Sequence, residues 1–392
     1  MKKIVLRLLP LCLAFSLAAC EDDLASCELD LCSGQCTDVQ IDRFNCGQCG
    51  NVCSAGFECV EGACTECPEG NCIDGDLYAA CFQAGEVVEL ERETLEVLEG
   101  RAGGVDGPQS LAIFGEYLLV LGGMDQTLHV YDRASLVRVG SEALGVAPNQ
   151  VVVRGARAYG IVSFENTVQV IDLTDPTAPS TIDQVSLGEG KNPFAGAFDD
   201  RGTLWVTAWE SGELFPVDFS GESGVVGEAI AIATEGLEGT PYPSGVVVIG
   251  DVVYASLNNL GPDFSPAGNG RLVAVDRTTR EQELIDLGAG CRNPGFVAAR
   301  GGSIHVACTG AYGADEGAVV VYDTEAGEVT RWVETGGAPS RLVLDPGGNG
   351  TVYVADAAGR DLIVVGADDE VRRVEVCSAD EMEFVADVAV AP

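Results

Sequence analysis

Apolar positions along this chain come in short runs rather than in helical stripes. From Asp76 onward the runs are rich in Val, Leu, Ile and Tyr, and Gly, Asp, Asn and Pro separate them. One set reads DLYAAC, YLLVLG, RAYGIV, TLWVTA, VVYASL, SIHVAC and TVYVAD. The set that follows it reads VVELER, LHVYDR, VQVIDL, LFPVDF, LVAVDR, VVVYDT and LIVVGA. β-Branched and aromatic residues at this length, bounded by turn formers, predict strands. A further set is led by prolines at 108, 148, 193, 243, 294 and 339, spaced 40 to 51 residues apart. No segment sustains a helical period.

A repeat of about 45 residues holding about four strands predicts an all-β chain folded as a seven-bladed β-propeller over residues 76–392. A β-sandwich would alternate more strictly and would not repeat at this length. Proline-led runs such as residues 151–153 and 246–248 predict innermost strands covered by neighbouring blades. The first unit starts at DLYAAC with no proline-led strand, and the chain ends EFVADVAVAP. Pairing 384–391 with 76–83 closes the ring. Cys81 and Cys308 end equivalent strands, and Cys377 and Cys291 each stand just before an innermost strand. These matched positions predict disulfides Cys81–Cys377 and Cys291–Cys308. The run DPGGNGTVYVADAAGRDLIVV at 345–365 resembles the YVTN/NHL-type propellers of bacterial surface and periplasmic proteins. That resemblance implies a scaffold of blades and no particular activity.

The amino terminus adds an address. Lys2, Lys3 and Arg7 precede an apolar stretch over residues 8–19, which is too short to span a bilayer and has the order of a secretory signal. The sequence Leu17-Ala18-Ala19-Cys20 resembles a bacterial lipobox. The resemblance implies a lipoprotein signal peptide at 1–19, lipidation of Cys20 and a tether at 20–26. Glu21 replaces the aspartate that often marks inner-membrane retention, so the expected place is the outer membrane, facing the periplasm or the cell surface. Thiols tend to be oxidised there. Cys27, Cys32, Cys36, Cys46, Cys49, Cys53, Cys59, Cys64, Cys67 and Cys72 therefore predict a disulfide-rich module at 27–72, its connectivity open. Zinc or an iron–sulfur cluster is the alternative. Against it, the region has no histidine, and ten cysteines exceed one zinc site. The pattern NCGQCGNVCSAGFECVEGAC resembles short cysteine-rich modules of bacterial surface lipoproteins, which implies a stalk or adhesion module.

Net charge is −39, and −42 without Lys2, Lys3 and Arg7. Such a surface repels nucleic acid, and anionic membrane beyond its own tether, and attracts cations or basic partners. It also keeps the chain hydrated. His129 and His305 lie mid-strand and read as packed within blades. No G-x-S-x-G, H-E-x-x-H, phosphate loop or EF-hand pattern occurs. Asp199-Asp200 and Asp368-Asp369 fall at expected turns and read as solvated.

The residues flanking the innermost-strand starts are Gln109, Asn149, Gln150, Asn192, Ser244, Asn293, Ser340, Arg341 and Glu383. Asn149, Asn192, Asn293 and Glu383 offer oxygen ligands suited to calcium. The set is similar in residue type to that of the gluconolactonase family, which implies metal-dependent lactone hydrolysis. Asparagine beside proline is also ordinary turn chemistry. Trp205, Trp209, Phe194 and Tyr242 gather around the fourth and fifth units, as an aromatic ligand surface or as packing between blades. The expected function is a surface-anchored lipoprotein whose propeller binds or scaffolds a protein or glycan partner. A calcium-dependent, lactonase-like hydrolase is the alternative.

Overall fold

The computed structural model describes residues 77–391 apart from 222 and 379–381, together with 30–32, 35–37, 48, 57–60 and 62–66. The chain divides into two compact units between Glu66 and Cys67. In the first, Asp30–Cys32 pairs antiparallel with Gln35–Thr37, and Phe57–Val60 with Ala63–Glu66. The signal, the lipid site and the side chains of the ten-cysteine module lie outside the described residues.

The second unit is a ring of seven antiparallel blades. Blade 1 takes its innermost strand, Val385–Val390, from the end of the chain and continues through Leu77–Cys81, Glu86–Leu90 and Val97–Gly103. Blades 2 to 7 occupy residues 108–143, 148–186, 193–231, 243–286, 294–334 and 339–375. Five of these six innermost strands line the channel half-buried in the pattern of Pro148–Arg154, while second strands such as Leu118 to Leu121 are fully buried. The expected cover by neighbouring blades therefore holds for part of each innermost strand only. One side of each faces the channel instead of another blade.

The core is divided among seven clusters, one between each pair of neighbouring blades. Strand alternation explains the division. Leu77, Ala79 and Cys81 face blade 7, while Tyr78 and Ala80 face blade 2. Both faces of the middle strands are apolar because both are covered.

The topology also defines two faces. Innermost strands begin on what we call the front face. It carries the connections between blades and the turns between second and third strands. One backbone hydrogen bond recurs there in all seven blades, from the residue after the second strand to the residue before the innermost strand. Gly123 N to Gly107 O, Ser163 N to Ala147 O and Thr309 N to Asn293 O are examples. The acceptor residue is in the left-handed region in blades 2 to 6: Gly107, Ala147, Asn192, Tyr242 and Asn293.

Two disulfides join Cys81 to Cys377 and Cys291 to Cys308, the pairs that the repeat positions select. Glu383 adds to the closure. Its carboxylate accepts the backbone N–H groups of Gln83 (2.9 Å), Ala84 (2.6 Å) and Phe384 (3.1 Å).

The back face is held by two equivalent polar hubs. Asp199 accepts the indole N–H of Trp205 at 3.2 Å and lies 3.1 Å from Arg277 of blade 5. Its carbonyl accepts Arg154 of blade 3 at 2.9 Å. Asp345 accepts the Tyr353 hydroxyl at 3.0 Å and lies 3.8 Å from Arg92 of blade 1. Its carbonyl accepts Arg300 of blade 6. Each hub binds three consecutive blades. Asp199 is therefore buried and paired, against the expectation that it is solvated; Asp200, Asp368 and Asp369 are exposed.

Candidate functional site: the channel mouth and the front face

All seven innermost strands carry a β-bulge at their start. Bulges re-aim side chains where a ladder begins. Two residues past each proline, or past its equivalent Val385, the ring reads Asp387, Ser110, Gln150, Ala195, Gly245, Phe296 and Arg341. One arc is polar and the other apolar. A cavity of about 280 Å³ runs along the polar arc, lined by Ser110, Gln150, Phe296, Arg341 and Asp387 among others.

The polar groups of this cavity are largely engaged. The Arg341 guanidinium lies 3.8 Å from the centre of the Phe296 ring, donates to Asn149 O at 2.6 Å and stands 3.7 Å from Asp387. Asp387 accepts Leu111 N and Val388 N, each at 2.8 Å. Burial pushes the Asp387 carboxyl upward, against the pull of Arg341 and these donors. Gln150 accepts Gly196 N at 2.8 Å. This arrangement ties blades 1, 2, 3, 4 and 7 together across the channel.

The four oxygen-bearing candidates are placed as follows. Asn149 accepts from Gln109 at 3.1 Å and donates to Ser163 and to Pro193 O. Asn192 and Asn293 both sit at φ 50°, a backbone region asparagine tolerates, and their carbonyls accept the recurrent front-face bond. The Asn293 amide also donates to Gly310 O at 3.2 Å. Glu383 caps the closure. Among the described residues no group of three or more His, Cys, Asp and Glu side chains gathers as a metal would require. His129 is buried between Asp125 (2.9 Å) and Arg138 (3.2 Å). His305 is half-buried, and burial together with Arg331 and Arg300 pushes it down to about 4.

The aromatic set divides. Trp205 joins the cluster between blades 4 and 5, and Phe194 packs 5.6 Å from Phe296. Trp209 and Tyr242 remain on the front face, stacked at 4.1 Å. Phe264 lies over Trp209 at 6.1 Å and 15°. The same face exposes Met124, Val146, Phe164, Tyr312 and Met382. On the back face Val137 is the large apolar side chain exposed among the described residues, and Leu98, Ile182, Val225 and Trp332 point out from outermost strands.

Phe164, Phe264, Tyr312 and Met124 do not stand out by position in the sequence alone. The signal that finds three of them is a recurrent pair in turns between second and third strands, one apolar residue beside one acid: Met124-Asp125, Phe164-Glu165 and Asp263-Phe264, with Trp209-Glu210 as a fourth case; Tyr312 lacks the acid.

These features define a seven-bladed β-propeller with an aromatic front face. No protein-family model matches the chain, and no curated protein matches it. Solved structures do. A Bacteroides fragilis protein provisionally assigned as a 6-phosphogluconolactonase superposes with TM-score 0.62 at 11% identity, covering 83% of this chain and 100% of that one. A Lactobacillus plantarum protein superposes with TM-score 0.63 at 14% identity, covering 82% and 100%. Virginiamycin B lyase from Staphylococcus aureus gives TM-score 0.55 at 9% identity, covering 69% and 84%. At these identities the likeness is one of fold.

Proposed function

We propose that this chain is a binding module and that its front face docks a partner protein. The carrying observation is the collection of exposed Met124, Phe164, Phe264, Tyr312 and Met382 on one face of a ring whose other face, among the described residues, exposes only Val137 of this kind. These residues come from turns of different blades, and their gathering on one face, next to the stacked rings of Trp209, Tyr242 and Phe264, is what an interaction face would present. Lipid attachment at Cys20 and an outer-membrane address belong to the same proposal and rest on the Leu17-Ala18-Ala19-Cys20 motif. A photoreactive side chain in place of Phe164 or Tyr312 is expected to crosslink a partner in the producing cells, while one in place of Val137 stays silent. Equal labelling from all three positions would remove the reading. Labelled palmitate is expected to enter the full chain and to be absent from Cys20→Ala.

A second reading, lactonase-like hydrolysis with calcium, draws on the fold shared with the Bacteroides fragilis protein. The engaged state of Asn149 and Glu383 weighs against it. A thermal melt with calcium and with EDTA at fixed ionic strength tests it. A saturable shift at micromolar calcium, with turnover of a gluconolactone, would restore it.

A further inference from the structure

The front-face aromatics are not all equivalent. At the position before the innermost strand, blades 2, 3, 4 and 6 hold Gly107, Ala147, Asn192 and Asn293, all with positive φ. Blade 5 holds Tyr242 there, at φ 44°. A bulky residue in this region is a backbone outlier, a conformation kept where the surrounding structure over-determines it. Phe264, at φ 60°, repeats the anomaly in the neighbouring turn of the same blade. Both rings meet Trp209, whose indole N–H is fixed on Asn258 at 3.1 Å. Asn258 is itself buried and accepts Ser244 at 2.7 Å. The result is a slab of three packed aromatic rings, with Phe264 57% exposed.

Charge around the slab is predominantly negative: Arg292 reaches Pro266 O in the same turn, and Arg271 follows it, but both are paired with carboxylates. Glu210 follows Trp209, Asp263 precedes Phe264, and Glu235 stands on the connection leading to Tyr242; all three are exposed. None of the three lies in an ion pair among the described residues. Front-face cations among the described residues, including Lys191, Arg271, Arg292 and Arg360, are committed to carboxylates other than these three. An aromatic face beside unneutralised carboxylates favours a cation, through the ring quadrupole and through charge. The fold already seats cations on rings elsewhere: Arg154 lies 5.0 Å from the centre of Phe198, and Lys191 5.5 Å from that of Phe215.

We propose that Trp209, Tyr242 and Phe264 form an anchor for an arginine or lysine side chain of a basic segment in the partner protein, with Glu210 and Asp263 supplying the countercharge. This rests on the front face being the docking face. It adds the partner's chemistry and the place where it is gripped.

The test titrates the full chain with a labelled nona-arginine peptide, following Trp fluorescence and peptide anisotropy at two salt concentrations. A chain of charge −39 attracts such a peptide by charge alone. The variants therefore keep that charge or match its change. Trp209→Ala and Tyr242→Asn leave the charge intact, and Asn is what blades 4 and 6 hold at the Tyr242 position. Glu210→Gln is matched by Glu116→Gln on the back face. The expected result is at least tenfold weaker binding in Trp209→Ala and Tyr242→Asn, with the melting temperature of Tyr242→Asn kept or raised. Glu210→Gln is expected to weaken binding more than Glu116→Gln. A purely structural Tyr242 would instead lower the melting temperature and leave affinity unchanged. Equal affinity in all variants, removed equally by salt, would reduce the effect to general charge attraction and overturn the proposal. Perturbation of Trp209 fluorescence by cellohexaose and not by the peptide would overturn it in favour of a glycan. Front-face crosslinks combined with unchanged peptide affinity would leave the docking face standing and remove the anchor.

Discussion

On the back face, Asp199 and Asp345 gather arginines and an aromatic hydroxyl or indole from three blades each, and little apolar surface is left over. On the front face, equivalent turns of the same repeat leave Phe164, Phe264 and Tyr312 in water. The two ends are stitched differently: buried ion pairs converge on two aspartates at the back, whereas at the front single side chains such as Asn149, Asn258 and Thr309 donate to the carbonyl of the next blade's leading proline. The front end also carries both disulfides, which lie at the front-face ends of second strands. If the front-face turns serve the proposed docking, substitutions in those turns should spare stability, while substitutions in the hubs and the disulfides should reduce it.

The largest expected effect comes from opening the ring. Cys81–Cys377 closes a loop with a sequence separation of 296, and Cys291–Cys308 one of 17. Chain-entropy arguments give about 6 kcal/mol as an upper figure for the first and about 3 kcal/mol for the second. Replacing both Cys81 and Cys377 by Ala should lower the denaturant midpoint more than the same change at Cys291 and Cys308. An equal loss would mean that the terminal strand, with Glu383 on Gln83 and Ala84, closes the ring without covalent help.

Next in size is the back-face hub. Arg277→Ala leaves the buried Asp199 carboxylate without its cation, and breaking a buried pair in this way typically costs about 3 kcal/mol or more. Asp200 and Asp251, the other partners of Arg277, are mostly exposed and add little. Calorimetric melting should show the loss, while crosslinking from Phe164 stays unchanged. The reciprocal substitution, Phe164→Ser, should move stability by no more than about 0.5 kcal/mol and abolish the crosslink partner's retention. If Phe164→Ser destabilises as much as Arg277→Ala, the division between the faces is wrong.

The same division explains what was legible in the sequence. The fold was readable because the repeat writes itself seven times, and the closure because one innermost strand is missing at the start and left over at the end. Both propeller disulfides followed from equivalent positions. The hubs were hidden. Asp199 looks like any turn aspartate until Arg277, 78 residues away, is brought against it. The aromatics were half visible. Trp205 and Trp209 are four residues apart, yet one is mid-strand and buried while the other begins a turn. Composition cannot separate them, but strand register can. The asparagines before prolines reflect backbone need, since Asn192 and Asn293 share their left-handed position with Gly107 and Ala147.

The smallest effect concerns pH and sits inside a blade, away from both faces. Burial, with Arg331 and Arg300 nearby, pushes His305 from 6.5 down to about 4. The folded state therefore holds the neutral imidazole while the unfolded chain begins to bind a proton near pH 6.5. The stability associated with neutral His305 is fully present above that pH and is lost progressively as pH falls toward 4. Carboxylates titrate over the lower part of this window in both proteins, so the informative quantity is a difference. Unfolding free energies of the natural chain and of His305→Gln, compared from pH 7.5 to 4, should converge or cross as pH falls, because only the natural chain carries the histidine penalty. Parallel curves would mean that the imidazole is protonated as readily in the blade as in water, and that Arg331 and Arg300 do not oppose its charge.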